Sequence, residues 1–78
     1  NPFNPFLTVS YSLPSETTVS ISIYNMLGER MSTLINERYL KSGYHKVSWD
    51  ASAFPSGMYF VKIQTPTIIE TKKALLIK

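Results

Sequence analysis

The chain contains no cysteine, which excludes a disulfide framework and any thiolate metal site. It has one histidine and five carboxylates in 78 residues, little from which to assemble a metal centre or a proton relay. No apolar run approaches the roughly 18–20 residues that a membrane-spanning helix needs. Charged residues make up only 17% of the chain and the net charge is +3, a mild basic bias rather than a nucleic-acid footprint. Lys41, Lys46, Lys62, Lys72, Lys73 and Lys78 are dispersed, with one adjacent pair. No repeat or low-complexity tract is present.

What the chain does have is rings, 13% of its residues. A single domain of this length sits near the lower size at which one core suffices. Much of its stability must therefore come from a few large buried aromatics. The opening Asn1–Phe6, NPFNPF, lacks Met and any signal-peptide pattern, so a segment of a longer protein is expected. Its prolines impose extended geometry on the residues before them.

Period-two alternation dominates the rest. Leu7, Val9, Tyr11 and Leu13 alternate with Thr8, Ser10 and Ser12 in a strand that Pro14 ends. Val19, Ile21 and Ile23 alternate with Ser20, Ser22 and Tyr24 in a second, followed by Asn25-Met26-Leu27-Gly28, where Gly28 supplies positive φ for a tight connection. Residues 29–36 mix two periods through Met31, Leu34 and Ile35; so short a segment beside a glycine favours a strand over a helix. Residues 37–42 form a bridge anchored by Leu40.

The stretch Gly43–Gln64 has the clearest pattern and reads as the centre of the fold. Val47 and Trp49, with His45, share one face of its first strand, and Tyr59, Val61 and Ile63 share one face of its second. Asp50 and Gly57 shape the turn region between them, Asp50 through an Asx-turn. Trp49 is expected to be the largest core member, its ring N–H needing a partner. The closing IIETKKALLIK ends in the apolar run Ala74–Ile77, which suits a strand buried on both sides or one carrying a bulge. Six or seven short strands with turn signals at roughly eight-to-twelve-residue intervals indicate an all-β fold, a small antiparallel β-sandwich.

Catalysis finds no constellation. His45 points to the apolar side of its strand, whereas Ser48 and Asp50 point to the other, so no Ser-His-Asp relay forms locally. Glu16, Glu29, Glu37, Asp50 and Glu70 are too scattered to suggest a glycosidase pair. No cofactor is expected; calcium held by a loop is left open. Tyr24, Met58 and Phe60 face away from the apolar sides of their strands and are read as surface cover in preference to a contact patch. The pair Lys72-Lys73 is read equally as protection of a sheet edge and as a recognition element.

NPFNPF, IYNMLGERM, GYHKVSWDAS, FPSGMYF and ETKKALLIK, in this order over the whole chain, resemble the type A C-terminal sorting domain of the Por (type IX) secretion system of Bacteroidetes and related phyla. The resemblance implies an Ig-like β-sandwich without activity of its own, the C-terminal sorting domain (residues 1–78) of a larger secreted protein. It implies a route through the periplasm to the cell surface or medium. The partners it implies are the type IX translocon, the fused upstream cargo and a sortase-like cysteine peptidase that cleaves the domain from its cargo at the surface. No nucleic acid and no small-molecule substrate are expected.

In the family's terms Gly57, Tyr59 and Phe60 match the glycine-aromatic strand. Lys72, Lys73, Leu75, Ile77 and Lys78 match the terminal motif and are the expected recognition residues. An exposed terminal strand also offers an edge through which isolated copies could pair. The alternatives are an Ig-like structural module of the flagellar hook-cap type and an accessory carbohydrate-binding module, the latter without an obvious aromatic platform.

Overall fold

In a computed structural model, residues 6–77 are described. The extended lead-in expected over residues 1–5, and Lys78, lie outside them. Six strands follow one another: β1 Phe6–Leu13, β2 Thr17–Tyr24, β3 Arg30–Leu40, β4 Gly43–Asp50, β5 Gly57–Gln64 and β6 Ile69–Leu76. They form two antiparallel sheets, one of β1-β4 and one of order β3-β2-β5-β6. The all-β expectation holds, with the lower of the two strand counts among the described residues.

Alternation carries the core. Leu7 and Val9 on β1 lie opposite Trp49 and Val47 on β4, while Ile21 and Ile23 on β2 lie opposite Ile63 and Val61 on β5. Directly paired residues share a face, so both sheets turn an apolar side inward. Val19, Ile21, Ile23 and Val61 are sealed from solvent. Each such side chain contributes about 1.5–3 kcal/mol through burial. Trp49, 2% exposed, lies 5.2 Å from both Phe54 and Tyr59, centroid to centroid. Among the described residues its Nε1 has no hydrogen-bond partner, whereas the sequence reading has the indole finding one.

Gly43–Gln64 is not the centre of a sheet. Its two strands lie in different sheets, and Trp49 and Tyr59 meet face to edge across the core instead of along a ladder. β2 and β5 are the inner strands of the larger sheet, and β4 is an edge strand, which leaves Val47 only half-buried. The crossing between sheets is well tied. Ser52 N–H donates to Asp50 Oδ1 at 3.1 Å, the expected Asx-turn, and Phe54 N–H donates to the Ala51 carbonyl. Tyr59 O–H donates to the Pro55 carbonyl at 2.7 Å, a bond like the tyrosine corner of Ig sandwiches. Gly57 opens β5 at φ 157°.

Two connections explain what the pattern obscured. Asn25 organises the β2–β3 hairpin: its Oδ1 accepts from Leu27 N–H and Glu29 N–H, both at 2.9 Å, and its Nδ2 donates to Glu29 Oε1. Gly28, at φ +82°, takes the left-handed position that turn requires,. β3 runs on through Leu40, beyond the bridge expected at residue 37, because its pairing with β2 shifts register three times. Each shift inserts a residue and resets which face follows, which is why Met31, Leu34 and Ile35 fit neither period. Glu37, at φ 49°, lies at one shift, its N–H donating to Ser20 Oγ at 3.1 Å.

Candidate functional site

The terminal motif through Leu76 folds within β6, an edge strand that among the described residues pairs only with β5. The apolar run is neither doubly buried nor bulged. Its register with β5 is continuous from Ile69 to Leu76, and only Leu76 and, in part, Ala74 join the core. Leu75 and Ile77 remain 61% and 68% exposed. Among the described residues the strand's outer N–H and C=O groups face no other strand, the arrangement that allows another chain to add on.

Strand alternation separates the lysine pair. Lys72 lies opposite Val61, on the core side of β6. Its Nζ donates to the Ser10 carbonyl of β1 at 3.2 Å and sits 3.7 Å from Glu70 Oε1. It thus ties the free edge of β6 to the free edge of β1 across an open flank. A groove of about 340 Å³ runs along that flank, lined by Leu13, Tyr44, Ile63, Ile68 and Lys72 among others. Lys73 lies opposite Phe60, on the outer face. Of the expected recognition residues, Lys73, Leu75 and Ile77 are presented to solvent, Lys72 is also exposed but bonded to Ser10 and Glu70, and Lys78 is outside the described residues.

The outer face beside Lys73 holds a cluster that sequence alone did not assemble. Arg30, Tyr24, Phe60 and Lys73 are successive cross-strand partners on β3, β2, β5 and β6. Lys62 lies 5.8 Å over the Tyr24 ring, within cation–π range. Next to it a polar depression of about 210 Å³ is lined by Ser22, Thr33, Arg30, Lys62 and Gln64, among others. Met58, opposite Leu75, extends the face in apolar character. The signal was available, since Tyr24, Met58 and Phe60 all sit out of phase with the core; only the pairing shows that they are adjacent.

The remaining candidates make contacts within the fold. His45 stacks on Tyr11 at 5.4 Å, and its Nε2 donates to the Lys41 carbonyl at 2.7 Å. Burial raises the Tyr11 pKa above the ordinary phenol value, with the Arg38 charge opposing. Val47, Trp49, Tyr59, Val61 and Ile63 all line or pack against the core. Among the described residues no group of three or more His, Cys, Asp or Glu could hold a metal ion.

A family model described as the secretion system C-terminal sorting domain matches residues 1–78, the whole chain. Neither a curated protein nor a solved structure gives a significant match.

Proposed function

Because the chain belongs to the secretion system C-terminal sorting domain family, we propose that it is the address label at the end of a larger exported cargo, read by the type IX outer-membrane translocon. The observation that carries this reading is the family match over all 78 residues, joined to a terminal motif that folds as an accessible edge strand. In this reading the cargo crosses the inner membrane on a signal of its own and passes through the periplasm. The label is engaged at the outer membrane, and a sortase-like cysteine peptidase cuts it from the cargo at the cell surface. A non-catalytic role accords with the family.

The physical basis is strand addition. β6 offers backbone donors and acceptors along one edge, and the exposed Leu75 and Ile77 offer side-chain contacts that discriminate partners. Fusing residues 1–78 to the C-terminus of a periplasmic reporter in a type IX-competent host should deliver the reporter to the surface. Removing residues 72–78 should abolish delivery. That deletion also takes Leu76 from the core, so an Ile77→Asp fusion, which leaves β6 whole, is the cleaner companion and should reduce delivery. Unchanged delivery by both variants would show that this terminus is not read.

A further inference from the structure

Three segments far apart in sequence meet at one end of the four-stranded sheet. The β2–β3 hairpin follows Tyr24, which lies opposite Phe60; Met58 and Leu75 lie beyond Phe60 in that same direction. The hairpin tip carries Met26 and Leu27, 72% and 83% exposed. Leu75 and Ile77 are also exposed, and Met58 and Phe60 half-buried. So much unsheltered aliphatic surface at one end of a small domain marks an interaction site.

Charge on the same face is mainly positive. Arg30, Lys62 and Lys73 lie on or beside it; of the carboxylates, Glu29 sits in the hairpin, its Oε1 accepting from Asn25 Nδ2, and Glu37 lines the polar depression. Among the described residues the ion pair within 4 Å is Lys72–Glu70, on the other side of the sheet. The three cations therefore keep their charge for a partner. From Arg30 to Lys73 the row crosses three interstrand steps, about 14 Å in all, with the Tyr24 and Phe60 rings between.

We propose that this hairpin end of the outer sheet face is a docking surface for an acidic polypeptide. Aliphatic side chains of the partner seat on Met58, Phe60 and Leu75, and its carboxylates meet Arg30, Lys62 and Lys73. A polypeptide fits better than an anionic glycan or a nucleic acid. Those ligands use exposed ring faces for stacking, whereas here the rings are half-covered and the exposed groups are flexible Met, Leu and Ile. Methionine-bearing surfaces repack around peptide side chains. The inference rests on the reading that the domain is recognised by protein machinery, and adds a face to the edge already described.

The test has two arms. In the first, the ¹⁵N-labelled chain is titrated with a synthetic peptide of alternating Glu and Leu, with poly-L-glutamate, and with heparin as an anionic glycan. Saturable amide shifts at Tyr24, Met26, Met58, Phe60, Lys62, Lys73 and Leu75 are expected with the Glu-Leu peptide. The double variant Lys62→Glu/Lys73→Glu should weaken binding roughly tenfold, and added salt should weaken it in the wild type. Shifts confined to another surface, no saturable shift, no effect of the double variant, or tighter binding of heparin at this face would each overturn the proposal.

In the second arm, the same double variant is fused to the periplasmic reporter beside a Lys41→Glu/Lys46→Glu control that carries the same charge change away from this face. Delivery should fall for the face variant and persist for the control; equal delivery by both overturns the proposal. If the wild-type fusion is itself not delivered, the sorting reading fails, and the titration alone decides the docking surface.

Discussion

Replacing Trp49 is the sharpest test of how this small sandwich is held together. The side chain is 2% exposed and lies 5.2 Å from the rings of Phe54 and Tyr59. Truncating a buried Trp to Ala costs about 3–5 kcal/mol through lost transfer energy and the cavity left behind. Among the described residues its buried Nε1 has no partner, a burden of about 1–3 kcal/mol that truncation relieves. Trp49→Ala should therefore fall near the low end, about 3 kcal/mol. A chain of 78 residues has a total stability of roughly 4–12 kcal/mol, so this variant should be marginal.

Trp49→Phe separates the two effects. It keeps a ring against Phe54 and Tyr59 and removes the orphan donor, so the cost should stay under about 2 kcal/mol. Urea unfolding of both variants, followed by far-UV circular dichroism because the single tryptophan is the residue replaced, gives the two values. A Trp49→Ala cost below about 1 kcal/mol would refute the core placement. A Trp49→Phe cost above about 2 kcal/mol would count against the argument from the unpartnered indole, and equal costs for Ala and Phe would show that the ring contacts to Phe54 and Tyr59 contribute nothing.

Tyr59→Phe removes the bond to the Pro55 carbonyl and should lower stability by about 0.5–1.5 kcal/mol; no change in the urea midpoint would show that this corner bond contributes nothing. Gly28→Ala places a Cβ at φ +82° and should cost about 1–2 kcal/mol, whereas Glu37→Gly, already at positive φ, should be near neutral; thermal melts that rank them the other way would contradict the turn geometry. Because burial raises the Tyr11 pKa in the folded state, the folded chain holds that proton more firmly than the unfolded one. Its contribution is complete below the ordinary phenol pKa near 10 and is lost as pH rises through the raised value. Tyr11→Phe should flatten stability against pH in that alkaline window, and an unaltered profile would argue against the shift.

The strands themselves were legible because alternation is a local property. Val9, Tyr11 and Leu13, or Tyr59, Val61 and Ile63, announce which side is buried whatever they pack against. Asp50 and Gly28 were equally readable, since an Asx-turn and a left-handed glycine depend on a few neighbouring residues. β3 was not, because its three register shifts exist only in relation to β2. The unpartnered Trp49 Nε1 likewise depends on the neighbours that the fold supplies.

The candidate recognition surface divides along the same line. Sequence by itself placed Leu75 and Ile77 in a terminal apolar run, with Lys72 and Lys73 just before it, and gave the chain its family likeness, because both follow from the order of residues; the strand in fact starts at Ile69 and takes in both lysines. Only the tertiary structure decided that Lys72 fastens β6 to β1, while Lys73 faces outward beside Phe60. It also brought Met26, Met58 and Leu75 to one end of one sheet. Which sheet a strand joins, and which strands flank it, is settled by the packing of two layers around one core. That packing makes Gly43–Gln64 a bridge between layers, a role no pattern within those residues could reveal.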